Sequence, residues 1–149
     1  MIKICFVCLG NICRSPMAEF ILKNKVERMN LEKEFLITSR ATSYEEEGNF
    51  MHQGTKDILN KNKIPYTNHI STRLEKEDYD NYDYFICMDD SNVINTLRIF
   101  ETDPYHKIIK LLNRDVKDPW YTGNFIETYK DIDKGTDKLL EKLKLIKYM

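Results

Sequence analysis

The chain has 149 residues, and its 23 Lys+Arg stand against 24 Asp+Glu, a formal net charge of −1. That near-balance gives no field to recruit nucleic acid or an anionic membrane surface, so any anion site has to be local, built from backbone dipoles and a few basic groups. The length fits one domain over residues 1–149 that buries roughly two-thirds of its extended-chain surface, with no apolar stretch near the ~20 residues of a membrane span.

Ile2 to Val7 is a continuous apolar run of the kind found in buried parallel strands. It ends at Leu9 with no small-residue cleavage site after a long apolar segment, so a cytoplasmic protein is expected. Pro16 to Met29 reads as a helix with Pro16 in its first turn and Ala18, Leu22, Val26 and Met29 on one stripe. Phe35 to Thr38 reads as a second strand, followed by a polar loop from Ser39 to Asn49. Within it, Glu45-Glu46-Glu47 is either a solvated run or the rim of a site. A helix over Thr55 to Lys63 ends before Pro65. Tyr82 to Met88 is a third strand, and Asp89-Asp90-Ser91-Asn92 suits the N-cap of a helix from Val93 to Phe100. Ile108 to Leu112 is a fourth strand, and a last helix runs from about Phe125 to Lys147 with Ile132, Leu139, Leu143 and Ile146 on its stripe. Strands alternating with helices predict an α/β fold, a four-stranded parallel twisted sheet with helices on both faces. Ligands bind such sheets beyond the carboxyl ends of the strands.

The segment leaving that end of the first strand is Cys8-Leu9-Gly10-Asn11-Ile12-Cys13-Arg14-Ser15. A loop of this length between strand and helix curls its N–H groups around one tetrahedral anion. The main chain of Leu9, Gly10, Asn11, Ile12, Cys13 and Arg14 would then bind the oxygens, and Arg14 would clamp two of them in fork geometry. Cys8 would lie under the phosphorus as a thiolate nucleophile favoured by converging N–H groups and the helix start. Gly10 and Asn11 allow a sharp or left-handed backbone, and Ser15 donates to the sulfur or caps the helix. Phosphate-ester cleavage also needs a proton for the leaving oxygen. Asp118-Pro119-Trp120-Tyr121 is the best source, an extended turn whose aromatics Trp120 and Tyr121 can wall a pocket; Asp103-Pro104-Tyr105 is a similar turn and competes with it. His69 by itself reads as a surface histidine. The four cysteines, Cys5, Cys8, Cys13 and Cys87, are too few for a disulfide scaffold and lack the spacing of a zinc site, so neither metal nor cofactor is expected.

Cys8 to Ser15 with Pro16-Met17-Ala18-Glu19 resembles the low-molecular-weight protein tyrosine phosphatases. The resemblance continues through Ala41-Thr42-Ser43, Ile86-Cys87-Met88-Asp89-Asp90-Ser91-Asn92 and Asp118-Pro119-Trp120-Tyr121, essentially the whole chain in the family's order. It implies hydrolysis of phosphotyrosine in proteins through a phosphocysteine on Cys8, with Arg14 as phosphate clamp, Asp118 rather than Asp103 as general acid, and inorganic phosphate as product. It also implies that Asn11, Ser15 and His69 share a network supporting the loop, that Asp89 caps its helix, and that Cys13 forms a reversible disulfide with Cys8. Trp120 stands where the best-known animal members have tyrosine, and Tyr44 stands near the rim where they have tryptophan, so Tyr44, Trp120 and Tyr121 are the expected pocket walls. A monomer or weak dimer is expected.

Three alternatives use the same residues. An arsenate reductase would need further cysteines to pass a disulfide along, and Cys87 stands alone after the loop. A protein-arginine phosphatase would favour threonine at Ile12. A phosphotyrosine-binding module would have lost Cys8 or Asp118, and both are present.

Overall fold

The computed structural model describes residues 1–147, with side chains through Lys144; the Ile146 side chain assigned to the last helical stripe lies outside the described residues. Strands β1 (Ile2–Cys8), β2 (Phe35–Ala41), β3 (Tyr84–Cys87) and β4 (Ile108–Lys110) form one sheet in the order β2-β1-β3-β4. All three pairings are parallel. Helices α1 (Arg14–Arg28), α2 (Gln53–Lys61), α3 (Asp90–Phe100), α4 (Pro119–Thr122) and α5 (Phe125–Lys147) complete the fold. Short 3-10 turns lie at Glu32–Glu34 and Lys76–Asn81. Among the described residues no helix is long and apolar enough to cross a membrane.

The period-two alternation of β1 sorts the core. Ile4, Phe6 and Cys8 face a cluster with Met17, Ile21 and Leu22 of α1, Leu59 of α2 and Ile132 and Leu139 of α5. Cys5 and Val7 face the opposite side, against Leu74, Phe85, Cys87 and Phe100 of α3. Because both faces are covered, the central strand reads as unbroken apolar sequence. β1 has β2 on one side and β3 on the other, so the chain leaves it in opposite directions and opens a crevice at its carboxyl end.

Several boundaries differ from the sequence reading. β2 runs three residues further, to Ala41, because its ladder follows β1 as far as the pair Cys8–Ala41. The polar residues there have inward uses: Ser39 is buried and hydrogen-bonded, so its polarity marks a network rather than a loop. β3 and β4 are shorter than expected, since Asp83 and Met88 bond β1 only at the ladder ends and the chain turns away after Leu111 N–H reaches the Cys87 carbonyl. α1 starts two residues before Pro16, at Arg14. The turn after Asp118 is helical rather than extended: Asp118 caps it, Pro119 fits its first position, and Gly123 ends it at φ 70°.

Gly54, in the first turn of α2, is where the helices meet. A Cβ there would lie 2.5 Å from the Phe125 ring, which stacks on His52 at 5.1 Å. Gly54→Ala is therefore expected to destabilise the fold by about 1–3 kcal/mol through overpacking, despite the better helix propensity of alanine. Chemical denaturation measures this, and a stability equal to or above the parent would show that the ring moves freely.

Candidate active site

The site forms where β1 ends and α1 begins. Cys13 precedes α1 without offering a side-chain cap, so the helix start keeps unspent N–H groups. One of them, Ser15 N–H, points at Cys8 Sγ at 3.4 Å, and Asn11 N–H reaches it at 3.3 Å. Ser15 Oγ lies 3.0 Å from the same sulfur. A neutral thiol donates to that hydroxyl; a thiolate accepts from it. The second arrangement suits the surroundings, because Ser15 Oγ already accepts from Asn11 Nδ2 at 2.7 Å and keeps its own proton to give.

Asn11 holds the loop's shape. It is fully buried and left-handed, at φ 56°, a conformation asparagine tolerates better than most residues. Its Nδ2 also donates to Ser39 Oγ at 2.9 Å, and Ser39 in turn donates to Glu19 at 2.6 Å. Its Oδ1 accepts from Thr72 N–H at 3.1 Å. His69 Nε2 stands 3.0 Å from the Asn11 carbonyl and 3.2 Å from Oδ1, and Ser71 Oγ donates to the Gly10 carbonyl at 2.7 Å. The segment from 69 to 72 thus ties down a loop that has no secondary structure of its own. With its side chain 9% exposed, His69 is far from the surface residue its bare sequence suggests. Both oxygens at Nε2 are acceptors, which fixes the proton on that nitrogen. Burial disfavours a charge on the ring, while Glu19 and the Asn11 carbonyl favour one.

Arg14 is 3% exposed. One edge of its guanidinium is fixed, with Nη1 donating to Asp89 Oδ2 at 2.7 Å and to the Val116 carbonyl at 2.9 Å. Nη2 is 3.5 Å from Asp118 Oδ2, and Nε, buried, has no partner. Burial works against the charge, but the Cys8 sulfur, Asp89 and Asp118 outweigh it and raise the Arg14 pKa above its ordinary value. An always-charged fork with an unspent edge is therefore held beside the sulfur.

Asp118 Oδ1 accepts from Trp120 N–H at 3.0 Å, which aims the carboxyl into the same space. Asp103 is occupied elsewhere, accepting from Tyr79 Oη, Lys107 N–H and Ile108 N–H, and sits before β4, at the amino ends of the strands. One pocket is lined by Cys8 through Arg14, Asp118, Trp120, Tyr121, Glu45 and Glu46. Of the expected walls, Trp120 and Tyr121 are there and largely exposed. Tyr44 is not in the lining; its ring lies under the Arg73 guanidinium at 4.4 Å and its hydroxyl turns to Glu75. The acidic run is the rim instead.

Sequence reasoning missed four participants. Asp89 caps α3 through Oδ1, as expected, but its Oδ2 also anchors Arg14. Ser39 and Glu19 extend the Asn11 network. His52 links the parts: its N–H donates to the Ile12 carbonyl at 2.8 Å, and its ring meets Trp120 edge-on at 5.6 Å. Only Asp89 had a readable signal, a capping carboxylate at the end of a buried strand on the side where the site lies.

The other sulfurs are quiet. Burial pushes the Cys13 thiol up to about 12, with the Cys8 and Asp118 charges adding to it. Burial does the same to Cys87, also to about 12, and raises Cys5 as well. Iodoacetate at neutral pH is therefore expected to add one carboxymethyl group, on Cys8, with phosphate protecting against it. Peptide mapping by mass spectrometry checks this; equal labelling of Cys13 would contradict it.

Comparison with known proteins agrees with this geometry. The family model for the low molecular weight phosphotyrosine protein phosphatases matches residues 3–147. The low molecular weight protein-tyrosine-phosphatase PtpA of Staphylococcus saprophyticus is 41% identical over 146 residues, covering 94% of this chain and 92% of that protein. The crystal structure of SP-PTP, a low molecular weight protein tyrosine phosphatase from Streptococcus pyogenes, superposes with a TM-score of 0.91 at 43% identity, covering 96% of this chain and 93% of that one. YfkJ from Bacillus subtilis gives a TM-score of 0.95 at 35% identity, covering 99% and 97%. With a sulfur, a guanidinium and a carboxyl meeting at the end of β1, and with relatives matched over nearly their full lengths, this chain belongs to the low molecular weight phosphotyrosine protein phosphatase family.

Proposed function

We propose that the chain hydrolyses phosphotyrosine in proteins, in the cytoplasm, as a monomer or weak dimer that needs no cofactor. Arg14 carries this reading. Its buried, unpartnered Nε and the neighbouring Nη2 form an edge that a pair of phosphate oxygens would satisfy, beside a sulfur that two N–H groups and a hydroxyl already face.

The phosphate enters with its oxygens on the N–H groups from Leu9 to Arg14 and on the Arg14 fork. The Cys8 thiolate attacks phosphorus as the bond to the tyrosine oxygen breaks, and Asp118 gives that oxygen its proton. Asp118, now a carboxylate, takes a proton from water. The water oxygen attacks phosphorus, the S–P bond breaks, and inorganic phosphate leaves. Ser15 stabilises the sulfur as it departs, and Asn11 and His69 keep the loop in shape. Trp120 and Tyr121 receive the flat phenyl ring. Cys13 closes a disulfide on Cys8 after a peroxide has converted the thiolate to a sulfenic acid, with water leaving as the second S–S partner arrives.

Matched peptides carrying phosphotyrosine, phosphoserine or phosphoarginine, in chelator-treated buffer, test this. Hydrolysis is expected for the first alone. Turnover of the phosphoarginine peptide would favour the guanidine-directed alternative, and thiol oxidation coupled to arsenate would favour the reductase.

A further inference from the structure

We infer that Glu45 and Glu46 make this site selective for phosphotyrosine flanked by lysine or arginine, an inference that rests on phosphotyrosine hydrolysis at the same site. Both residues line the same pocket as Trp120 and Tyr121. The Glu46 stem packs on the phosphate loop so closely that a Cβ on Gly10 would stand 3.2 Å from its Cγ. Its Oε2 accepts from Asn49 Nδ2 at 2.7 Å. The turn is pinned along its length: Glu45 N–H donates to Ser43 Oγ, Glu47 N–H to the Tyr44 carbonyl, Asn49 N–H to the Glu46 carbonyl and Gly48 N–H to the Ser71 carbonyl. The Glu46 carboxylate is therefore held in place, and the backbone that carries Glu45 is fixed at the mouth.

They are also uncompensated. Among the described residues no lysine, arginine or histidine lies within ion-pair distance of Glu45 or Glu46, and the Glu45 carboxylate has no partner. Arg73, which covers the neighbouring Tyr44 ring, is engaged by Glu75 and the Thr42 and Leu74 carbonyls. That the pocket takes a ligand is shown independently by the unpartnered, buried Arg14 Nε at its floor. An anionic group is drawn to that floor, so two negative charges at the entrance oppose the reaction's own substrate unless the substrate brings positive charge to meet them. An extended peptide advances about 3.3–3.6 Å per residue. The neighbours of a bound phosphotyrosine thus pass over the rim, inside the ~8 Å over which charges act at physiological salt. A basic neighbour pairs with Glu45; an acidic one is repelled.

The test compares kcat/KM for three phosphotyrosine peptides that differ only at the two positions flanking the tyrosine, which hold lysine, glutamine or glutamate. The wild-type chain is expected to prefer the lysine peptide over the glutamate peptide by about tenfold at low salt. The ratio should fall toward one in 0.5 M salt, where the Debye length shrinks to about 4 Å, and in the Glu45→Gln/Glu46→Gln double variant, whose amides preserve the shape of the turn. A ratio near one in the wild type, or a ratio the double variant leaves unchanged, overturns the inference while leaving tyrosine phosphatase activity standing. If none of the three peptides is hydrolysed although a small aryl phosphate is, the protein-substrate reading fails and this inference falls with it.

Discussion

Cys8→Ser is expected to remove turnover, by on the order of 10⁵-fold or more, while leaving the fold and the oxyanion cradle in place. The sulfur receives Asn11 N–H, Ser15 N–H and the Ser15 hydroxyl. A serine hydroxyl accepts from the same groups, but an alcohol is far less acidic than a thiol, and the Asp118 carboxyl is given over to the leaving oxygen. It therefore stays a neutral alcohol and does not attack. Binding is a different matter. The loop N–H groups are set by Asn11 at φ 56° and by the His69, Ser71 and Thr72 contacts, none of which passes through the sulfur. Arg14 keeps Asp89 and the Val116 carbonyl. Phosphotyrosine peptide should then bind the variant as tightly as the parent or tighter, since a thiolate no longer repels the dianion. Isothermal titration reads the binding, steady-state kinetics the loss, and denaturation the fold, with stability expected within about 1 kcal/mol of the parent. Full activity in the variant would end the nucleophile assignment. Loss of binding together with activity would mean that the sulfur organises the loop rather than attacks.

The loop was legible because its chemistry is contiguous. A buried strand, eight residues with thiol, glycine, asparagine and arginine in order, and a helix start leave few ways to arrange the N–H groups. The strands and main helices were legible for a similar reason, since apolar runs and stripes are local. What joins distant segments was not. His52, which the sequence reading leaves unassigned, caps α2, with Nδ1 accepting from Gly54 N–H at 2.9 Å. Nothing in its neighbours announces that it also holds the Ile12 carbonyl and the Trp120 ring. Asp89 hides its bond to Arg14 behind a capping role for the same reason. The choice between Tyr44 and Glu45 as a wall residue fails differently. A loop tightened by successive turns, with Gly48 at φ 86°, has no periodicity from which to read which side chain faces inward. Ser39 shows the opposite error: a polar residue at a strand end reads as loop because the partners that satisfy it, Asn11 and Glu19, come from two other segments.

Asp118→Asn is expected to slow hydrolysis of phosphotyrosine by about 10²–10⁴-fold. The substitution is close to isosteric, and the asparagine oxygen can go on accepting from Trp120 N–H, so Pro119–Thr122 should hold its shape. What is lost is the proton. Tyrosine is a poor leaving group and needs that proton as its bond to phosphorus breaks, whereas p-nitrophenolate leaves almost unaided. The penalty should therefore be large for phosphotyrosine and phenyl phosphate and much smaller for the first step with p-nitrophenyl phosphate. The second step then exposes the other half of the role. Without a carboxylate to draw a proton from water, the phosphocysteine on Cys8 should persist, and acid quenching during turnover of p-nitrophenyl phosphate should trap more of it than in the parent. A uniform loss across leaving groups would indicate that Asp118 acts through its 3.5 Å approach to Arg14, as a positioning charge. An unchanged rate on phosphotyrosine would move proton transfer to another group, and it could not be Asp103, whose carboxylate is committed to Tyr79, Lys107 and Ile108 at the far end of the sheet.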